Sequence, residues 1–524
     1  MSSTPENGQH GVTGLSGPEP ESTRRRTWDP KRALGFDLPE SPIPPDRNPA
    51  RPKVRRAPPR KAPVVQKQAA NTDRPPTAPG RIKEFVASEV VPVSGLTLKV
   101  FTLFLFLRFS LLHEFLSIKL HANLYILLLV GAIAYLTALP RADVWRPVKD
   151  VKIMRAWFIM SGFMLAGIPF SFWPGGSYGV VIPFIKDNVL CIPLIAGLFG
   201  TWALARRIFL VIASAATIVV VLSCLYPSDV GGRMGVIWNG SVSNPNDIAG
   251  HLIFLIPFLF FAGFSNHVNA ILRPVYLACV PLAMFLVLKT GSRGAFIGFI
   301  AFFVFLFLTG NSKIRIGFVL AAPLLIAGLL TFLPKSALDR MLTFDSGSPN
   351  HEEAVASYEA RQNLLRISIS DTLRHPLLGV GAGQFGSYEG QKAIDEGHPH
   401  NNWQETHNSF TEISAETGIP ALLCMLYATF GSLRILWRAR RLTSNDPTLK
   451  EIASASQFLF AGSAAFCVCI FFLNFGYKMY LPFLTGLAIA LDRALKAAQS
   501  NSADTLQTPS VNTRSWTQKS LVRA

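Results

Sequence analysis

Apolar stretches of about 17–25 residues recur from Leu96 to Leu491, each long enough to cross a bilayer as a helix. In lipid, every backbone N–H and C=O must be satisfied inside the segment, so such stretches fold as helices or not at all. Composition agrees. Only 16% of the 524 residues are charged, against roughly a quarter in soluble domains, and mean hydropathy is +0.32. The expected fold class is an all-α polytopic membrane protein of about twelve transmembrane helices, with a large, partly helical periplasmic loop between the ninth and tenth. The spans read as 96–112, 122–139, 153–172, 183–204, 208–226, 247–264, 273–290, 294–310, 315–333, 418–436, 454–474 and 477–491.

Charge placement gives the orientation. The net charge of +18 sits mostly in the N-terminal tail and in short interhelical loops, so topology accounts for it and no nucleic-acid partner is expected. Arg141 to Arg155, Arg206 and Arg207, Arg273, Lys313 and Arg315, Arg438 to Lys450, and Arg493 all fall on one side, which the positive-inside rule makes cytoplasmic. Both termini then lie in the cytoplasm and the polar island 334–407 faces the periplasm. Residues 1–92 are Pro- and Arg-rich and are expected to form a disordered cytoplasmic tail that touches anionic membrane lipids. They contain no apolar segment of the signal-peptide kind. Residues 93–495 form the membrane domain, and 496–524 a disordered cytoplasmic C-terminal tail. The six cysteines all lie in apolar runs, so no disulfide framework is implied.

Four features fall on the expected outer face: the loop FWPGGSYG (172–179), the loop GGRMGVIWNGSVSNPN (231–246), the turn TGSRGAF (290–296) and the island. Arg293 interrupts two apolar runs, and a charge there is either an interfacial anchor or part of a site. Arg233 precedes Asn244-Pro245-Asn246, which reads as a helix start with Asn244 as cap and Pro245 at the first position. Two guanidinium groups suit bidentate phosphate recognition. In the island, Arg361 heads a helical segment (355–374) and is either a site residue or part of a solvated face. The glycines of HPLLGVGAGQF punctuate the backbone: a nucleotide loop needs a preceding strand and a following helix, and neither is evident. Lys186 and Asp187, near the outer end of the fourth span, read as a self-paired interfacial couple or as a transport relay.

His407 lies where the apolar pattern resumes, in GHPHNNWQETHNSFTEISAETGIPALL. An imidazole at a helix N-terminus is kept neutral by the helix dipole and serves either as a cap or as a proton acceptor. Gly418-Ile419-Pro420 separates the short helix after it from the next span. His398, His400 and His407 make a weak metal pattern, and neither metal nor cofactor is expected.

Together, GR…NPN, TGSRG, R…HPLLGVGAGQF and HNSFTEISAETGIPALL resemble the O-antigen ligase and O-antigen polymerase superfamily of bacterial membrane glycosyltransferases, over about 96–491. The family's histidine motif is His, then Asn, Ser or Gln, nine residues, Gly, two residues, then Gly, Thr or Tyr. His407, Asn408 and Gly418 match, and Ala421 departs from it. The resemblance implies transfer of a glycan from undecaprenyl diphosphate to an acceptor hydroxyl at the periplasmic face of the bacterial inner membrane. The acceptor is lipid A-core in a ligase, or a further glycan unit in a polymerase. By the same resemblance His407 would activate the acceptor, and Arg293 and Arg233 would hold the diphosphate. Arg361, Asn408, Asn246 and Lys186 are the expected substrate-binding residues. No Asp-x-Asp pair is present, which favours a metal-independent enzyme with a lipid-linked donor. A secondary transporter is the alternative of another class, but no internal repeat is visible and the charges cluster outside the bilayer.

Overall fold

The structure, a computed structural model, describes residues 95–230, 233–236, 240–242, 244–332, 351–397 and 403–507. The expected tail 1–92, His398 and His400, and the island up to 350 lie outside these. The described chain is almost wholly helical. The first half holds α1 (Gly95–Ser110), α2 (Leu112–Lys119), α3 (Ile126–Ala138), α4 (Ala142–Asp150), α5 (Lys152–Gly167), α6 (Pro174–Phe184), α7 (Cys191–Leu198), α8 (Trp202–Leu225) and α9 (Pro245–Phe264). Then follow α10 (Leu272–Lys289), α11 (Arg293–Thr309), α12 (Ser312–Phe332), α13 (His351–Arg374), α14 (Phe385–Asp395), α15 (Ser409–Thr443), α16 (Lys450–Cys469) and α17 (Tyr480–Gln507). The one departure from all-α is a small antiparallel hairpin between α8 and α9, Pro227–Asp229 with Met234–Val236.

Each expected span falls on a helix, but the correspondence is looser than twelve uniform spans. Seven of the described helical stretches are long and apolar enough to cross a membrane, or nine if α1 with α2 (bent 68°) and α3 with α4 (bent 85°) each count as one. α11 is apolar but has 17 residues, and neither α12 nor α17 is among the nine. The fourth span differs most. It begins at Pro174 rather than 183, so most of FWPGGSYG is helix, and it passes through a π-helical turn, Ile185–Val189, before α7. Pro174 lacks the amide a first-turn residue would leave unpaired and so starts the helix early. α17 runs on to Gln507, into the segment expected as tail; residues 508–524 lie outside the described part.

The core is built around α9, whose span is 89% buried. A helix apolar on every side belongs in the interior. Polar bonds inside this core join distant helices, as they do where lipid gives no hydrophobic drive for association. Trp157 of α5 donates to Thr485 of α17 (2.9 Å), which also accepts from Ser432 of α15 (3.1 Å). His251 of α9 is 2.9 Å from both the Tyr480 hydroxyl and the Phe109 carbonyl. A carbonyl only accepts, so Nε2 carries the proton and Nδ1 accepts from Tyr480.

α15 is broken at Gly418 (φ 86°, ψ 168°), a conformation reserved for glycine. The break diverts its hydrogen bonds. Ile419 N–H donates to Pro376 O (2.8 Å), and Pro420 has no N–H, so the Ala415 and Glu416 carbonyls lose their usual partners. Val380 and Gly381 N–H take them over, each at 2.9 Å. The island's Gly-rich segment is thereby stitched into the gap. A Cβ at Gly418 would stand 2.3 Å from Leu377 O. Gly418→Ala should therefore cost about 1–3 kcal/mol from backbone strain alone, with the clash in addition. A thermal melt of the purified protein in detergent should show a clearly lower midpoint; an unchanged one would mean that the stitch is dispensable.

Candidate functional site

Three stretches converge on the N-terminal ends of α9, α11 and α15. The first is the hairpin between α8 and α9. Arg233, at its turn, donates from Nε to Thr290 O and from Nη2 to Asn246 Oδ1, both at 2.7 Å. It clasps the turn between α10 and α11 to the start of α9. Asn244 caps α9 by accepting from Asn246 and Asp247 N–H (2.9 and 3.0 Å), as its sequence predicts.

The second is the turn TGSRG. Gly291 takes φ 62°, and α11 starts at Arg293 with no side-chain cap from Ser292. Gly294 and Gly298 let α11 press against the end of α16: a Cβ on either would meet Phe472 Cβ at 2.4 Å or Cys469 Cβ at 2.8 Å. Arg293 is thus held at a fixed helix end. Its guanidinium makes no hydrogen bond or ion pair among the described residues.

The third is the island with the head of α15. Arg361, on α13, is half-buried and likewise makes no hydrogen bond or ion pair among the described residues. It lies close enough to Arg293 to feel that charge, and close enough to His407 to act on it. A guanidinium stays protonated regardless, so two like charges stand together with no described counter-ion. His407 is half-buried and takes a left-handed backbone (φ 52°), a strained choice for a non-glycine residue. It does not cap the helix. Asn408 does, accepting from Phe410 and Thr411 N–H (2.9 and 3.3 Å). Burial, then the Arg361 charge, pulls the imidazole below its ordinary value of 6.5, with Glu405 pulling the other way. At neutral pH the ring is uncharged.

The head of α15 is fixed by the segment that precedes α17. Ser409 Oγ donates to Leu473 O (2.6 Å) and accepts from Phe475 N–H (2.7 Å), and Glu412 accepts from Gly476 N–H (2.9 Å). Thr406 donates to Asn474, which in turn donates to Glu405.

Two of the expected residues need restating. Lys186 sits on the π-helical turn, exposed and paired with Asp187 (3.6 Å), and no described contact joins it to the arginines or to His407. A helix does follow HPLLGVGAGQF: α14 begins at Phe385. No nucleotide loop results, because α13 rather than a strand precedes it. The amides of Gly383 and Phe385 are also already occupied, by the buried Glu416 carboxylate at 2.6 and 3.1 Å. Gly379, Gly381 and Gly383 all have positive φ, as backbone punctuation requires. Glu416 was not singled out in the sequence, although a carboxylate four residues after Glu412 on an otherwise apolar helix is a signal that it has an internal partner.

Residues 277–426 match the family model described as O-antigen ligase. That stretch is similar to an O-antigen ligase domain. It contains Arg293, Arg361, His407 and Asn408, while Arg233, Asn246 and Lys186 lie before it. With the apolar helices around it, the domain marks an integral membrane protein and a glycosyltransferase-type enzyme. No curated protein matches the chain.

Asp371 of α13 is fully buried beside Glu389 of α14, and Lys392 lies 2.9 Å from Glu389. Burial first, then the Glu389 charge, pushes the Asp371 carboxyl up to about 7. The folded pair keeps a proton that the unfolded chain releases near 3.8, so stability is greatest in acid and falls as pH rises through about 7. Melting midpoints should therefore decline from about pH 4 to about pH 7 and level off above it. Asp371→Asn, which donates without titrating, should flatten that slope, and a wild-type slope retained in the variant would place the titration elsewhere.

Proposed function

We propose that this protein transfers a glycan from a lipid diphosphate, of the undecaprenyl diphosphate kind, to an acceptor hydroxyl at the periplasmic face of the bacterial inner membrane. The acceptor is lipid A-core, making the protein an O-antigen ligase. The observation that carries this reading is a pair of guanidiniums, Arg293 and Arg361, with no partner among the described residues, the second of them beside a neutral, backbone-strained imidazole at His407. Two such cations, next to an uncapped helix N-terminus, want a polyanion.

The chemistry is a displacement at the sugar's anomeric carbon. The acceptor oxygen forms the new bond as its proton passes to His407, a step typically worth 10²–10⁴-fold. The bond from anomeric carbon to phosphate oxygen breaks, and its electron pair leaves on the lipid diphosphate. That charge grows in the transition state, where fixed guanidiniums oppose it. Arg233 and Asn246 serve by holding the α10–α11 turn, and with it Arg293, against the start of α9. Asn408 orients His407 by capping the helix that follows it. The basic residues clustered in loops at the opposite ends of the helices support a periplasmic position for this cluster.

His407→Ala should abolish glycan transfer in membranes while the protein still inserts and accumulates; normal transfer would overturn the base assignment. Wild-type activity should also fall on acidification below the ordinary imidazole range, since a lowered His407 value sets the acid limb. Arg293→Lys should lower the transfer rate by at least about tenfold, because an ammonium lacks the bidentate fork, and an undiminished rate would return Arg293 to a role as interfacial anchor. Deleting the gene separates ligase from polymerase. Free full-length chains with a bare lipid core indicate a ligase, and single repeat units on the core a polymerase.

A further inference from the structure

Away from His407, a cavity of about 430 Å³ opens where α4, α7, α8 and α17 meet. Along α17 it lies about 20 Å from the Tyr480 end, at 1.5 Å per residue to Arg493. Its walls carry three cations, Arg141, Arg493 and Lys496, against one carboxylate, Asp143. Arg141 is paired with Asp143 (2.8 Å) and Lys496 with Asp492 (2.6 Å), so these two cations are positioned but locally balanced. Arg493 has no carboxylate within ion-pair distance among the described residues and donates one of its N–H groups to Ala196 O. Gly200 lets that guanidinium lie against the backbone, since a Cβ there would stand 3.2 Å from Cζ.

Apart from Thr201 and two glycines, the rest of the lining is apolar: Leu198, Leu204 and Ala497. Leu204 belongs to the first turn of α8, a helix long and apolar enough to cross the membrane, so the cavity sits where that span meets water. The first turn of α8 has no side-chain cap, which adds the positive end of a 24-residue helix to the same space. A free polyanion would meet the cations but gain nothing from the leucines. A zwitterionic headgroup would bring its ammonium against arginine and lysine.

We propose that this cavity binds the phosphate of an anionic glycerophospholipid, with Arg493 on the phosphate and the leucines against the glycerol and upper acyl chain. Anionic lipid attracts basic groups at a membrane surface in just this way, and a ligand that binds only the folded state raises its melting temperature. The test is the thermal midpoint of purified full-length protein in uncharged detergent, with phosphatidylglycerol, phosphatidylethanolamine or inorganic phosphate added. Phosphatidylglycerol should raise the wild-type midpoint by several degrees, and the other two should leave it within error. Lys496→Gln, at a largely exposed side chain, should reduce that rise, and Arg493→Gln with Lys496→Gln should remove it. If the double variant does not fold, the single Lys496→Gln still decides. An equal rise with inorganic phosphate would make free phosphate the ligand, and an equal rise with phosphatidylethanolamine would remove the charge requirement. A full rise in the Lys496 variant would place binding elsewhere. Each of these three results overturns the proposal.

Discussion

The structure around the candidate site depends on one interruption in one helix. In α15 the ordinary ladder would carry Ile419 N–H to Ala415 O and the next amide to Glu416 O. Gly418 turns the backbone away, and Pro420 supplies no amide. Two carbonyls and one amide are left in a buried place, where an unpaired group costs about 1–3 kcal/mol. The island segment 376–381 supplies all three partners, and the Glu416 side chain then takes the amides of Gly383 and Phe385. A polar loop that would otherwise hang outside the bilayer is thereby tied at five backbone points to a helix that spans it. Everything α13 and α14 bring to the surface, Arg361 included, takes its position from that tie.

Against this rigid frame the electrostatics of the cluster read as a stored cost. Two guanidiniums repel each other, and the imidazole beside them is held neutral by burial and by the Arg361 charge. None of this stabilises the fold. What holds it in place is packing elsewhere: the glycine contacts of α11 with the end of α16, the Arg233 clasp, and the four bonds from Thr406, Ser409 and Glu412 to the segment 473–476. A site whose charges have no counter-ion among the described residues gains most when a ligand of opposite charge arrives, because no described ion pair has to be broken first.

The sequence disclosed the parts of this that rest on local rules. Span-length apolarity located the helices, Asn-Pro marked the start of α9, and Gly-Ile-Pro marked the break in α15. It did not disclose what depends on chain segments far apart. Arg361 and Arg293 are 68 positions apart, and their proximity follows from the stitch of the island to α15, not from any pattern around either residue. The Glu416 bonds to the Gly-rich turn span 31 and 33 positions and are likewise silent in the sequence. The spans themselves were over-regularised. Pro174 starts its helix before the apolar run begins, and Leu111 and Tyr125, in left-handed backbone, sit where helices bend or begin rather than where hydropathy changes.

His407 shows how the local and the distant combine. Asn408 is the cap, and a cap residue needs an extended backbone, so the chain must turn sharply just before it. That turn falls on His407, which adopts φ 52° although asparagine or glycine would do so at less cost, about 1–2 kcal/mol for an ordinary side chain. Folding alone gives no reason for an imidazole there. It neither caps the helix nor hydrogen-bonds to any described residue, and its ring sits next to an arginine that disfavours its charged form. A residue that strains the backbone, makes no bond among the described residues and stays neutral beside Arg361 fits a requirement of the proposed reaction better than one of the fold. In the proposed reaction the turn aims the ring, burial and Arg361 keep it a base, and Arg361 with Arg293 meets the anion whose departure that base assists.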